Sequence, residues 1–120
     1  MLAEPLGILT PLLMLVSTLL SPPPPPAPPP PPVVQDAEAR RVLECVGGYE
    51  SNGNYQAVSK SGRNRGKYQM TTEFFQQYGG DIQYAGKHEL APPAMQDEVA
   101  LNGYKARGLD PWPGAQKVCS

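Results

Sequence analysis

The hydrophobic pattern of this chain changes character twice. Residues 1–21 are apolar almost throughout, with Leu12-Leu13-Met14-Leu15-Val16 at the centre. Residues 22–32 are proline, broken once by Ala27. After that, apolar positions recur at helical spacing. Asp36 is a good N-cap for a helix to about Tyr49, with Val42, Val46 and Tyr49 on one stripe and Leu43 beside it. Gly47-Gly48 weakens its last turn, next to Glu50. Residues 51–69 are rich in Gly, Asn and Ser and cannot form a long helix. Residues 55–58 and 67–70 are expected to pair as a short, irregular hairpin around Gly62–Gly66. Thr71 or Thr72 caps a short helix to about Tyr78, stopped by Gly79-Gly80. Pro92-Pro93 opens what the pattern makes the longest helix, with Met95, Val99 and Ala106 on one face and Leu101 and Tyr104 nearby, and Gly108 ends it. The fold class expected is α+β, mainly α, in one small domain.

Composition divides the chain into 1–21, 22–35 and 36–120. The first part is too short, and too interrupted by Pro5 and Pro11, for a spanning helix of about 20 apolar residues. Its length suits a secretory h-region, although it lacks a basic n-region and Ser21 precedes proline. An uncleaved membrane anchor, or a true start upstream of Met1, reads the same residues differently. Its proline run, 22–32, is expected to form a polyproline II rod of about 3.1 Å per residue, a spacer first and a docking site for a proline-binding domain second.

Charge narrows the partner. Of eleven acidic residues only Glu4 precedes Asp36, and all ten basic ones follow Val34, so the folded part is balanced. Nucleic acid, which calls for a clustered basic face, is not an expected partner. Lys60, Arg63, Arg65 and Lys67 form a solvated loop rather than a binding patch.

The folded part is small enough to need a staple, and its two cysteines, Cys45 and Cys119, lie near its ends. In an exported chain they are expected to form a disulfide. Two cysteines and the single His88 do not make a zinc site, and no metal or cofactor is expected. His88, in a polar loop, reads as a surface residue.

The chemistry gathers at Tyr49-Glu50-Ser51-Asn52-Gly53-Asn54-Tyr55, at the end of the first helix. A carboxyl group there, walled by Tyr49, Tyr55 and Tyr68, can hold its proton at neutral pH and act as an acid on a glycosidic oxygen. A two-carboxylate glycosidase needs a second carboxylate about 5–9.5 Å away. None occurs between Ser51 and Thr72, and Asp81, Asp97 and Glu98 could approach only through tertiary folding. Read alone, Glu50 could also be an ordinary helix-end residue. Gln69 could be an amide that ties the hairpin, and the tyrosines and Trp112 could be core.

Glu50-Ser51-Asn52-Gly53-Asn54-Tyr55 resembles the Glu-Ser-Gly-Gly-Asn-Trp of the resuscitation-promoting factors, relatives of the soluble lytic transglycosylases in the lysozyme superfamily. Gly66-Lys67-Tyr68-Gln69-Met70 is similar to that family's Gly-Gly-Val-Gln-Phe. Gly108-Leu109-Asp110-Pro111-Trp112-Pro113, followed by Cys119, is similar to its closing Gly-Trp-Gly-Ala-Trp-Pro-Val-Cys. Two departures stand out. Cys45 lies five residues before Glu50 rather than next to it, a shift close to one helical turn. Phe74 occupies the slot where the family has a Thr, with Thr71 and Thr72 nearby.

The resemblance implies a lysozyme-like transglycosylase domain over 36–120 and an exported or cell-wall-associated bacterial or phage protein acting on peptidoglycan strands as a monomer. It implies Glu50 as the single acid and base. Gln69, Tyr68, Tyr55, Asn54 and Tyr104 are the candidates for holding sugar. A hydrolytic muramidase and a glycan-binding module that does not cut are the alternatives.

Overall fold

The computed structural model describes residues 21–28 and 32–120, with side chains from Asp36 onward in the first helix. Residues 1–20, nearly all of the export-like segment, lie outside the described residues, as do prolines 29–31. Residues 21–28 are exposed and carry neither helix nor strand. Among the described residues no helix is long and apolar enough to cross a membrane.

Four α-helices follow: α1 (Pro32–Ser51), α2 (Thr72–Gln77), α3 (Pro93–Arg107) and α4 (Gln116–Cys119). Helix α1 starts four residues before Asp36, so Asp36 is not its cap. A proline suits a first turn, where its preset φ helps and its missing N–H is not required. The Asp36 carboxylate instead lies 2.7 Å from the Lys105 ammonium on α3. At 20 residues α1 exceeds the 15 of α3, which the sequence had suggested as the longest helix.

The later boundaries follow local chemistry. The Thr71 hydroxyl accepts from the Phe74 N–H at 3.1 Å and caps α2, and Gly79, at φ 101°, turns the chain beyond its end. Pro93 opens α3 and Gly108 closes it. Ala39, Leu43 and Val46 of α1 share one core with Phe74 and Phe75 of α2 and Val99, Ala100 and Leu101 of α3. Glycine at 103 lets this core close, because a Cβ there would collide with the Phe74 ring. Tyr49 departs from the expected stripe: it is 53% exposed and leans on Gly114. Trp112 is buried and meets Phe74 edge-on at 5.6 Å. Cys45 and Cys119 form a disulfide that joins α1 to α4, 74 residues apart in sequence.

The hairpin resolves into something smaller. Arg65 makes one isolated antiparallel bridge with Val58 and another with Met70, and 55–58 does not pair with 67–70. Neither bridge is continued by a neighbouring pair, so no two-stranded ladder forms. The domain is mainly helical, and residues 52–70 are a folded loop held by turns. His88 also departs from expectation, being fully buried. Its Nε2 lies 2.6 Å from the Met70 carbonyl, and its ring stacks on Phe75 at 5.0 Å.

Candidate active site

Glu50 stands on the last turn of α1 because the helix must stop just after it. Asn52 and Gly53 adopt φ 56° and 78°, the left-handed region in which a helix cannot continue. Their N–H groups still bond back to the Gly48 and Gly47 carbonyls, at 2.9 and 3.0 Å, so the end is closed rather than frayed. Glu50 is half-buried, and this burial pushes its carboxyl above the usual glutamate range. Loss of water disfavours the charged form, and Glu50 has no salt-bridge partner among the described residues to restore it.

The turn Gly66–Met70 is tied to this end of α1 through Ser51, and nearly every polar group in it is engaged. The Ser51 hydroxyl, next to Glu50, donates to the Lys67 carbonyl at 2.6 Å. The Lys67 N–H donates to Gln96 Oε1 at 3.1 Å. Trp112 Nε1 donates to the Tyr68 carbonyl at 2.9 Å. Gln69 sits at φ 51°, a conformation that a non-glycine residue holds at a cost of about 1–3 kcal/mol and only where its surroundings fix it.

Gln96, on α3, is fully buried. Its Nε2 donates to the Tyr55 and Ala91 carbonyls at 3.1 and 3.0 Å. A Cβ at position 66 would overlap its Oε1, so Gly66 is required for this approach. Its neighbour Asp97 accepts two phenols on one oxygen, Tyr68 at 2.6 Å and Tyr55 at 2.8 Å. Burial, and then these bonds to a carboxylate, raise both phenols above the usual tyrosine range.

Lys67 is buried as well. Its stem lies against Gly47, where a Cβ would sit 2.5 Å from Cε. Its ammonium is 2.7 Å from Glu44 and 4.9 Å from the centre of the Tyr55 ring. Burial opposes its charge, but the bonds to Glu44 and Tyr55 outweigh it and hold the amine above the usual lysine range.

The sugar-holding candidates therefore separate. Gln69 lines an open groove of about 350 Å³ together with Thr71, Glu73, Arg107, Asp110 and Trp112. Its Nε2 also donates to the Gly66 carbonyl at 3.1 Å, so it both ties the turn and borders the groove. Glu50 is not among the residues lining that groove. Tyr68 is buried and Tyr55 half-buried, and their hydroxyls meet at Asp97 on a different face. Asn54 Oδ1 accepts from the Gln56 N–H at 2.9 Å and shapes its own turn. Tyr104 packs, partly buried, against the core.

Gln96 and Lys67 were not singled out from sequence. One signal was present: Gln96 falls three, four and seven residues before the buried Val99, Ala100 and Gly103, a polar residue on an apolar stripe. No comparable signal marks Lys67, which reads as part of a solvated loop. Among the described residues no cluster of His, Cys, Asp and Glu could hold a metal ion.

No curated protein sequence and no solved structure matches this chain significantly. A family model does: the transglycosylase-like domain matches residues 34–115, from the first turns of α1 to the Pro113–Ala115 turn, and so takes in Glu50, the Gly66–Met70 turn and Trp112. That match covers well over half of the chain: the chain belongs to the transglycosylase-like domain family, which implies peptidoglycan as its substrate class.

Proposed function

We propose that the protein is an exported lytic transglycosylase that cleaves the β-1,4 bond between N-acetylmuramic acid and N-acetylglucosamine, with Glu50 as its acid and base. The observation that carries the reading is the half-buried Glu50 carboxyl at the closed end of α1, its pKa raised by loss of water. Such a group keeps its proton at a pH where exposed glutamates have lost theirs.

Glu50 gives its proton to the glycosidic oxygen as the C1–O bond breaks. The resulting carboxylate takes the proton of the sugar's own C6 hydroxyl as that oxygen closes on C1. The products are a free 4-hydroxyl on the leaving sugar and a 1,6-anhydromuramoyl end, and no water is consumed. Three of the other carboxylates are engaged elsewhere, while Glu73 and Asp110 border the groove with Gln69. Asp97 holds two tyrosines, Asp81 accepts from the Gln83 N–H, and Glu98 pairs with Arg40. Gln69 offers a neutral amide to the sugar, beside Thr71 in the groove. The disulfide and a wall-directed domain fit an extracellular bacterial setting, in which the proline run acts as a spacer between the export segment and the domain.

Mass spectrometry of peptidoglycan digested by the protein tests this. Anhydro-ended fragments, lighter by one water than hydrolytic ones, are expected. Reducing ends alone would make the protein a muramidase, and glycan binding without soluble fragments would make it a non-cutting module.

A further inference from the structure

Asp97 does work that the proposed chemistry leaves unassigned. One of its oxygens accepts Tyr68 at 2.6 Å and Tyr55 at 2.8 Å. Tyr55 follows the closed end of α1, and Tyr68 lies inside the turn that presents Gln69 to the groove. Asp97 itself sits on α3, one residue after Gln96, which holds the backbone of both segments through the Tyr55 carbonyl and the Lys67 N–H. Adjacent residues of one rigid helix therefore grip both segments, Gln96 by main chain and Asp97 by side chain.

Tyr68 and Gln69 are neighbours that face different cavities. Tyr68 borders a small pocket of about 140 Å³ with Arg40, Leu43, Glu44 and Asp97, and Gln69 borders the groove. A ring anchored behind the turn fixes the direction of the amide in front of it. The left-handed φ of 51° at Gln69 persists only under restraint, and the Tyr68 hydroxyl bond is one such restraint beside those from Gln96 and Trp112.

We propose that Asp97 is a positioning residue for glycan binding: through the hydroxyls of Tyr68 and Tyr55 it sets the Gly66–Met70 turn and hence the placement of Gln69 in the groove. This rests on the reading of the groove as the glycan site, and the two can fail separately. Losing part of two hydrogen bonds to a charged group amounts to roughly tenfold in affinity.

The test uses the full chain with Asp97→Ala, Asp97→Asn and Tyr68→Phe, and the exposed Glu98→Gln as control. Asn keeps an acceptor oxygen for both phenols. On soluble glycan fragments Asp97→Ala is expected to raise KM roughly tenfold with a smaller change in kcat and an unshifted pH profile. Asp97→Asn restores most of the loss, and Tyr68→Phe gives an intermediate one. Simple loss of folded protein lowers kcat alone. Amide hydrogen exchange without glycan should rise at Lys67, Gln69 and Met70 while α1 stays protected. Normal KM and unchanged exchange at those three amides in Asp97→Ala overturn the proposal, and if that variant does not fold, the same result in Tyr68→Phe does. Faster exchange at the turn with glycan affinity unchanged keeps Asp97 as an anchor of the loop but removes it from glycan binding, and so also overturns the proposal. A wild-type protein that leaves peptidoglycan uncut overturns the functional reading instead, and exchange still decides the anchoring.

Discussion

The helical half of this domain and the loop that faces it are built by different forces. Helices α1, α2 and α3 meet through Leu43, Val46, Phe75, Val99 and Leu101, an apolar interface in which many contacts share the load. Residues 52–70 contain two isolated bridges and no extended strand, and they keep their shape through Ser51, Gln96, Asp97, Lys67 and Trp112. Apolar burial is roughly additive and forgiving of small changes, whereas a hydrogen bond either finds its partner or leaves a buried group unpaired. The half that carries the candidate acid is thus broadly supported, and the half that carries Gln69 hangs on a few single side chains.

The sharpest way to break this comparison is to change chemistry without changing support. Glu50→Gln removes a transferable proton while keeping the size of the side chain. Turnover should fall by roughly 10²- to 10⁴-fold, with the thermal midpoint held or slightly raised. Release of soluble fragments from sacculi measures it, and near-normal release would remove Glu50 from the site.

Next in size is the covalent tie. The chain-entropy treatment assigns a closed loop of this length about 4 kcal/mol. Replacing Cys45 and Cys119 together by Ser should therefore lower the free energy of unfolding in denaturant by that order, and a loss under about 1 kcal/mol would show that the apolar core suffices.

Gln96→Leu then compares the two halves directly. It fills the same space with apolar atoms but leaves the Lys67 N–H and the Tyr55 and Ala91 carbonyls without their partner. About 3 kcal/mol of stability should go, similar to a Leu101→Ala cavity, yet activity should fall further in Gln96→Leu than in Leu101→Ala when both are assayed well below their midpoints. Equal activities would mean that the loop is not separately supported.

The smallest effect is the dependence of stability on pH. Burial lowers the His88 pKa, and the bond to the Met70 carbonyl opposes this only in part. The folded state therefore takes up a proton less readily than the unfolded one. Stability from His88 is complete above the ordinary histidine pKa of about 6.5 and declines as pH falls below it, by no more than about 1.4 kcal/mol per pH unit. Glu50 acts in the opposite sense, since its raised pKa makes acid relieve the burial of its charge. Denaturant titrations at several pH values in the Glu50→Gln background isolate the histidine slope, and a flat profile there would sink it.

The same division of forces explains what could be read from the residues. Caps and stops are local, so Thr71, Gly79, Pro93 and Gly108 announced their roles. The cysteine pair followed from the small core. Tyr49, His88 and the hairpin were misjudged because tertiary contacts decide them. Gly114 takes Tyr49 out of the stripe, the Met70 carbonyl gives a buried His88 its partner, and Arg65 pairs in two directions. Glu50 and Gln69 are candidates marked by motif. The turn that carries Gln69 is tied to Gln96 and Asp97, far along the chain, and no local pattern links those residues to it.

The disulfide has a consequence for how the folded chain would survive a proteolytic cut. Cys45 precedes Glu50 and Cys119 follows Trp112, so the covalent ring encloses the whole loop, the residues lining the groove and α3. A protease that clips the exposed tip near Lys60 or Arg63 opens the ring without dividing the molecule. Both fragments stay linked, packed on one core and still in register around the groove. The cut protein migrates as one species until it is reduced, and it can go on working after a break that would dismantle an unbridged chain.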